Sequence, residues 1–346
     1  MDELDLSAIF DAYEQGDGRG QPPYHPLMMV KVLVYGYCVG VTSSRKIERA
    51  THEDVAFRVL AGNQHPDHDS IAEFRKRHLA ALAGLFIQVL KLCDKAGLVK
   101  LGRVAIDGTK VRANASKHKA MSYGRMEEAE RRLEEEVKRL LEEAERVDAE
   151  EDAQFGKGKR GDELPEELAR RESRLDKIRD AKAALEREAR EKAEEKAAEQ
   201  RAKLEERERK EQESGKKMGG RPPVVPDPET AKPDPKAQRN FTDSDSRIMR
   251  DGATKEFTQA YNGAGAPQGP AAQAMREKLA SASGKAIYKL RKAIVEPVIG
   301  QIKEVRGFRR FTFRGFHKVA AEWDLVCLSH NLLKLFRHKV ATAPAR

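Results

Sequence analysis

The chain has 346 residues, with 66 Lys and Arg against 57 Asp and Glu and a formal net charge of +9. Charged residues make up 36% and hydrophobic residues 39%, so much of the chain cannot be buried core, and the length allows about two domains. No apolar run reaches the roughly 18 residues of a spanning helix, and the acidic opening "MDELDLSAIF" lacks the cationic start and apolar stretch of a signal peptide, so a cytoplasmic chain with no membrane partner is expected.

In "HPLMMVKVLVYGYCVG", Pro26 marks a helix start and Gly40 its end. "TSSRKIERATHEDVAFRVLAG" predicts a second helix, with Ser43 or Ser44 as cap and Gly62 as stop. "PDHDSIAEFRKRHLAALAGLFIQVLKLCDKAGL" predicts a third, capped by Asp69 or Ser70. Short helices with short polar connections predict an N-terminal helical domain over 1–98. Its pattern fits a helix-turn-helix arrangement and a plain bundle alike. Cys38, Cys93 and Cys327 are far apart in apolar surroundings without metal spacing, and read as buried free thiols.

Residues 99–125 hold "VAIDGTKVRANAS", where a short β-branched run, Val104 to Ile106, ends in Asp107 before a glycine. Two readings stand. Asp is common where a strand enters a turn, because its side chain bonds its own backbone. An inner strand ending in a carboxylate is also how a metal ligand is presented.

From 126 to 213 the pattern changes. Leu133, Val137, Leu140, Ala144 and Val147 alternate at four and three residues, the a/d seam of a coiled coil. A Gly-rich break follows, and Leu168, Leu175, Ile178 and Leu185 resume the seam, which predicts a long antiparallel helical hairpin. Beyond Leu185 the second arm is Ala- and charge-rich and offers little apolar area, so a lone exposed helix or disorder is expected there. Residues 214–240 are an extended linker with six prolines. In 241–346 one strand, Glu256 to Tyr261, is expected.

The positive charge is concentrated at the end: Gly284 to Arg346 carries 7 Lys and 7 Arg against 3 Glu and 1 Asp. Such a block suits a polyanion, although a solvated basic surface has the same composition. Within it, Tyr288, Lys292, Glu296 and Lys303 fall near one side of a helix, and Pro297 predicts a kink at Glu296. Lys292 and Glu296 read either as an i, i+4 surface pair or as a carboxylate for metal beside cations for phosphate. In the amphipathic segment that follows, Trp323, Val326, Cys327, His330 and Leu333 fit core packing.

These segments together resemble a bacterial insertion-sequence transposase of the DDE type, with its ribonuclease-H-like catalytic core. "LMMVKVLVYGYCVGVTSSRKIERATHEDVAFRVLAGNQHPDHDSIAEFRKRH" resembles the N-terminal helical domain, and "AIDGTKVRANAS" the first catalytic strand. "YKLRKAIVEPVIGQIK", with Tyr288, Arg291, Glu296 and Lys303, resembles the Tyr-Arg-Glu-Lys signature. Four residues separate Arg291 from Glu296 where the wider signature has three, a spacing that Lys292 meets. "RGFHKVAAEWDLVCLSHNLLKL" resembles the closing helix.

The resemblance implies that Asp107 and Glu296 ligate magnesium or manganese and carry a two-metal phosphoryl transfer. It further implies double-stranded transposon ends as partner, a possible homo-oligomer, and a place at the bacterial nucleoid. Tyr288, Arg291, Lys292, Lys303, Arg306, Arg309, Arg310, Arg314 and Lys318 are the expected DNA contacts. The departure is in the middle. The family has a second Asp beyond its Tyr-Asn segment, but here Asn262 to Met275 contains no acidic residue. Asp243, Asp245 and Asp251 match family positions that are not catalytic. The chain therefore reads as a transposase with an internal deletion. The expected fold is mainly α with a reduced α/β remnant: an N-terminal helical domain, an antiparallel coiled-coil hairpin and an incomplete ribonuclease-H-like core. The expected function is that of a DNA transposase, the alternative a catalytically dead DNA-binding remnant that inhibits an intact enzyme.

Overall fold

The computed structural model describes residues 3–14, 24–99, 108–155, 166–214, 223–250, 255–262, 281–289 and 291–342. In chain order the elements are α1 (Ser7–Glu14), α2 (Pro26–Val39), α3 (Ser44–Glu53), α4 (Val55–Leu60), α5 (His68–Arg77), α6 (Leu79–Lys95), β1 (Lys110–Arg112), β2 (Ala120–Ser122), α7 (Tyr123–Phe155) and α8 (Glu166–Ser214). They continue with β3 (Gln238–Asn240), β4 (Arg247–Arg250), β5 (Phe257–Asn262), α9 (Ala282–Lys289), α10 (Arg291–Ile294), α11 (Glu296–Gly300) and α12 (Phe316–Thr342). The protein is mainly helical. It divides into two compact units, one of Met1–Asn114 with Met249–Arg346, the other Ala115–Ile248.

In the first unit α12 packs on α2 and α6. Helix α2 is apolar almost all round, as suits a central helix, and Met29, Val30, Val32 and Leu33 are buried. Each such side chain contributes about 1.5–3 kcal/mol on leaving water. Leu82, Leu85, Val89 and Cys93 lie on one face of α6, and Leu325, Val326 and Leu328 are the buried counterparts in α12. Gly40 ends α2 in the left-handed region at φ +83°, and a Cβ there would meet the Arg306 carbonyl at 2.4 Å.

Each of the next two expected helices is split. Asp54 ends α3 and caps α4, accepting from the amides of Ala56 at 2.8 Å and Phe57 at 3.1 Å. Asp67 caps α5 in place of Asp69 or Ser70, accepting from the Ser70 amide at 2.8 Å. A second break at His78 separates α5 from α6. Capping by a short acid offers the backbone an alternative to continuing the preceding helix.

The sheet order is β1-β5-β4, with β1 and β5 antiparallel and Val111 opposite Tyr261. The expected strand at Glu256 to Tyr261 is β5. The expected strand at Val104 to Ile106 lies outside the described residues, as does the segment 263–280 of the inferred deletion.

In the second unit α7 and α8 run antiparallel. Tyr123 donates to Glu186 at 2.8 Å, Lys182 to Glu130 at 2.8 Å and Arg179 to Glu134 at 2.6 Å, partners that descend along α8 as α7 ascends. Their shared core contains Tyr123, Met126, Leu133, Leu175, Ile178, Ala181 and Leu185. Helix α8 continues past Leu185 to Ser214, with Ala193 and Ala197 buried. The Pro-rich segment lies beside it: Pro228 and Glu229 line a shallow cleft with Arg190 and Glu194. That segment then meets the start of α7, where Tyr123 N–H bonds Ala237 O at 2.8 Å, and β3 pairs with β2.

Candidate nucleic-acid interface

The C-terminal basic turn is fastened to β1 of the same unit. Gly307 at φ +66° and Gly315 at φ +83° bracket "FRRFTFR". Phe308 and Phe311 are buried, 5.6 Å apart, and touch the Trp323 ring. Phe311 also meets Tyr261 of β5 edge-on at 5.8 Å. With both phenylalanines inward, Arg309 and Arg310 between them face out. Backbone bonds add the turn to the strand: Arg112 N–H reaches Arg309 O at 3.1 Å and Phe311 N–H reaches Arg112 O at 2.9 Å. Arg112 and Arg310 form a parallel bridge.

Asn114, just past β1, ties the turn further. Its amide nitrogen donates to Thr312 O at 2.8 Å. Its side-chain oxygen accepts from Arg310 at 3.0 Å, and its backbone carbonyl accepts from Arg314 Nε at 2.8 Å. Lys110 Nζ bonds Arg250 O at 2.8 Å. The edge thus gathers Lys110, Arg112, Arg310 and Arg314, all exposed, from segments about 200 residues apart.

The signature segment is a string of short helices. Its chain bends at Val295, with Glu296 and Pro297 opening α11, as a proline after Glu296 dictates. The helix then widens over Gln301–Val305, where Arg306 N–H reaches back to Gln301 O at 3.0 Å. Tyr288 and Glu296 are exposed. Arg291 and Lys292 lie in α10, but their side chains are outside the described residues. Lys303 Nζ donates to Lys110 O at 2.7 Å, which brings the signature against the strand segment that follows Asp107. Asp107 itself lies outside the described residues, as does Asp251. Asp243 is buried in a turn where its amide donates to the Asn240 side chain at 3.1 Å.

Arg306 is a correction to the expected DNA contacts. It is 6% exposed, and its guanidinium points inward, donating to Ser329 Oγ at 2.6 Å and Tyr37 O at 3.3 Å. A motif rich in arginine gives no sign of which one the turn buries. Arg309 pairs with Glu304, while Lys318 is exposed on the first turn of α12.

The sequence also gave no sign of a buried polar cluster in this unit. Glu322, fully buried, accepts from Tyr37 OH at 3.0 Å and from the amides of Thr312 at 2.9 Å and Phe313 at 3.2 Å. Arg75 donates to Thr42 O at 2.7 Å and lies over the Phe313 ring. Burial pushes the Cys38 thiol up to about 11 and Cys327 up to about 12, so neither is a nucleophile at neutral pH.

Comparison with known families finds a match at each end. A model described as a transposase domain (DUF772) matches residues 1–77, and a model described as a transposase DDE domain matches 254–336. The two matches together support an insertion-sequence DDE transposase. No curated protein and no solved structure matches it. Both matched segments fall in the first unit, where α12 closes on α2. No single described helix is long and apolar enough to cross a membrane.

DDE transposases as a family depend on divalent metal, so the donor set here bears on chemistry. Glu296 is the one family carboxylate placed among the described residues. Among them no group of three His, Cys, Asp or Glu side chains converges as a metal centre requires. The described donors do not by themselves make up a resident metal pair.

Proposed function

We propose that this transposase relative is a double-stranded DNA-binding protein that recognises element ends and does not itself cut or join them. The contact between Lys303 and the Lys110 carbonyl carries the reading. It joins the segments that bear the first and last family carboxylates, and it sets the C-terminal basic turn along β1. Exposed cations on one sheet edge suit phosphate contacts, and these make binding fall steeply with salt through counterion release. The catalytic part fails on chemistry: with no acidic residue from Asn262 to Met275, Asp107 and Glu296 supply two carboxylates where the family uses three. A two-metal displacement needs both the attacking and the leaving oxygen held. A bound but inactive chain would occupy ends in place of an intact enzyme.

The test gives the purified chain and an Asp107→Ala variant DNA carrying the element ends with magnesium or manganese. The expected result is that both shift the DNA and neither cuts it. Cutting by the parent chain alone overturns the inactive reading, and absence of any shift overturns DNA binding.

A further inference from the structure

We infer that Asn114 is a positioning residue that holds Arg310 and Arg314 as a paired clamp for the phosphodiester backbone of duplex DNA, with Arg112 beside them. The inference rests on the DNA-binding reading and names the residues that would grip the strand. Asn114 uses its side-chain nitrogen, its side-chain oxygen and its backbone carbonyl at once. The bond to Thr312 O fixes which end of the amide faces Arg310. Each arginine spends one N–H on Asn114, and a guanidinium has five, so the rest remain available to a ligand.

The choice of an amide is the informative part. Exposed Arg309, two residues from Phe311 in the same turn, instead meets the carboxylate of Glu304, as Arg179 meets that of Glu134, while Arg58 meets the side-chain oxygen of Asn63 much as Arg310 meets that of Asn114. Among the described residues, Arg310 and Arg314 have no carboxylate partner. They are held by neutral oxygens, which orient the guanidinium planes and leave their charge uncancelled. Lys110 is held likewise, on the Arg250 carbonyl. Pre-oriented, uncompensated guanidinium groups on a strand edge bind phosphate oxygens with little further loss of side-chain freedom. The same amide cannot read base sequence through these groups, so the clamp sets grip and register and carries no sequence preference.

The experiment measures duplex DNA binding by the full chain over a range of salt. It uses the parent, Asn114→Ala, Asn114→Asp, the double variant Arg310→Gln with Arg314→Gln, the triple combination with Asn114→Ala, and Lys339→Gln as a control of equal charge type. The double variant is expected to lower the slope of log K against log salt by about 2. Asn114→Asp, which supplies the arginines with an internal counter-charge, should lower it nearly as far. Asn114→Ala should weaken binding several-fold in the parent and not at all in the double-variant background. Lys339→Gln should leave the slope unchanged. Thermal melting of each protein separates loss of fold from loss of grip. An unaltered slope in folded Asn114→Asp, or an Asn114→Ala effect that persists without the arginines, overturns the clamp. A parent protein that shows no salt-dependent binding overturns the DNA-binding reading instead.

Discussion

The Tyr37 hydroxyl of α2 donates to the Glu322 carboxylate of α12 at 3.0 Å, joining residues 285 positions apart. Glu322 lies where the two matched transposase segments meet and also receives two backbone amides of the basic turn. Replacing it with Leu leaves those donors buried and unpaired. The expected loss is about 3 kcal/mol, from unsatisfied donors at roughly 1–3 kcal/mol each with partial relaxation. The single tryptophan, Trp323, adjoins this cluster, so its fluorescence during denaturation reports the affected unit. A Glu322→Leu midpoint equal to that of the parent would contradict the assignment.

Gly40 and Gly62 make a matched pair. Both have positive φ, +83° and +58°, but a Cβ at Gly40 meets the Arg306 carbonyl at 2.4 Å while one at Gly62 meets nothing within 4 Å. Gly62→Ala should cost about 1 kcal/mol for the left-handed backbone alone. Gly40→Ala should cost about 3 kcal/mol or more, because backbone must also move. Equal costs by chemical denaturation would mean that the turn at Arg306 yields freely.

His330 predicts how the fold responds to acid. Burial first, then the positive charges of Arg306, Lys334 and Arg337, push its pKa down to about 4. The unfolded chain, with an ordinary histidine near 6.5, binds the proton more readily. Stability from this group is therefore complete above pH about 6.5 and is lost as pH falls toward 4. The parent should lose up to about 3 kcal/mol over that interval, and His330→Phe should flatten the profile there. Parallel profiles for the two proteins would refute the contribution.

The hairpin of α7 and α8 depends on its apolar seam more than on its surface ion pairs. Ile178 is 1% exposed in that seam, and Ile178→Ala should cost about 3 kcal/mol. Removing the exposed Arg179 side chain, paired with Glu134, should cost far less, because a solvated ion pair adds little to stability. Helical circular dichroism during melting distinguishes them, and a reversed order would show that the charges dominate.

Elements with a long apolar period were legible in the sequence. Pro26 and Gly40 bracket α2, and Leu133, Leu175, Ile178 and Leu185 all lie in the hairpin core. Tyr123 and Met126 carry the same core one heptad earlier than Leu133, where the seam read from the sequence began. The short strands were not legible. Lys110–Arg112, Gln238–Asn240 and Arg247–Arg250 are three or four residues each and largely polar, too short to establish a period. Their pairing is imposed by the tertiary context. Among the basic residues, composition could propose a polyanion surface but could not separate Arg306, turned inward by the glycine bend at Gly307, from Arg310 and Arg314, held outward by Asn114.

The closure of α12 on α2 and α6 sets an order of events during synthesis. A ribosome releases α6 about 220 residues before it begins α12. At about 5–20 residues per second, the apolar faces of α2 and α6 wait on the order of 10–40 s for the helix that covers them. The nascent N-terminal segment is therefore a client for holding chaperones. A transcript or ribosome that stops before Phe316 yields a protein with its central helix uncovered, marked for proteolysis.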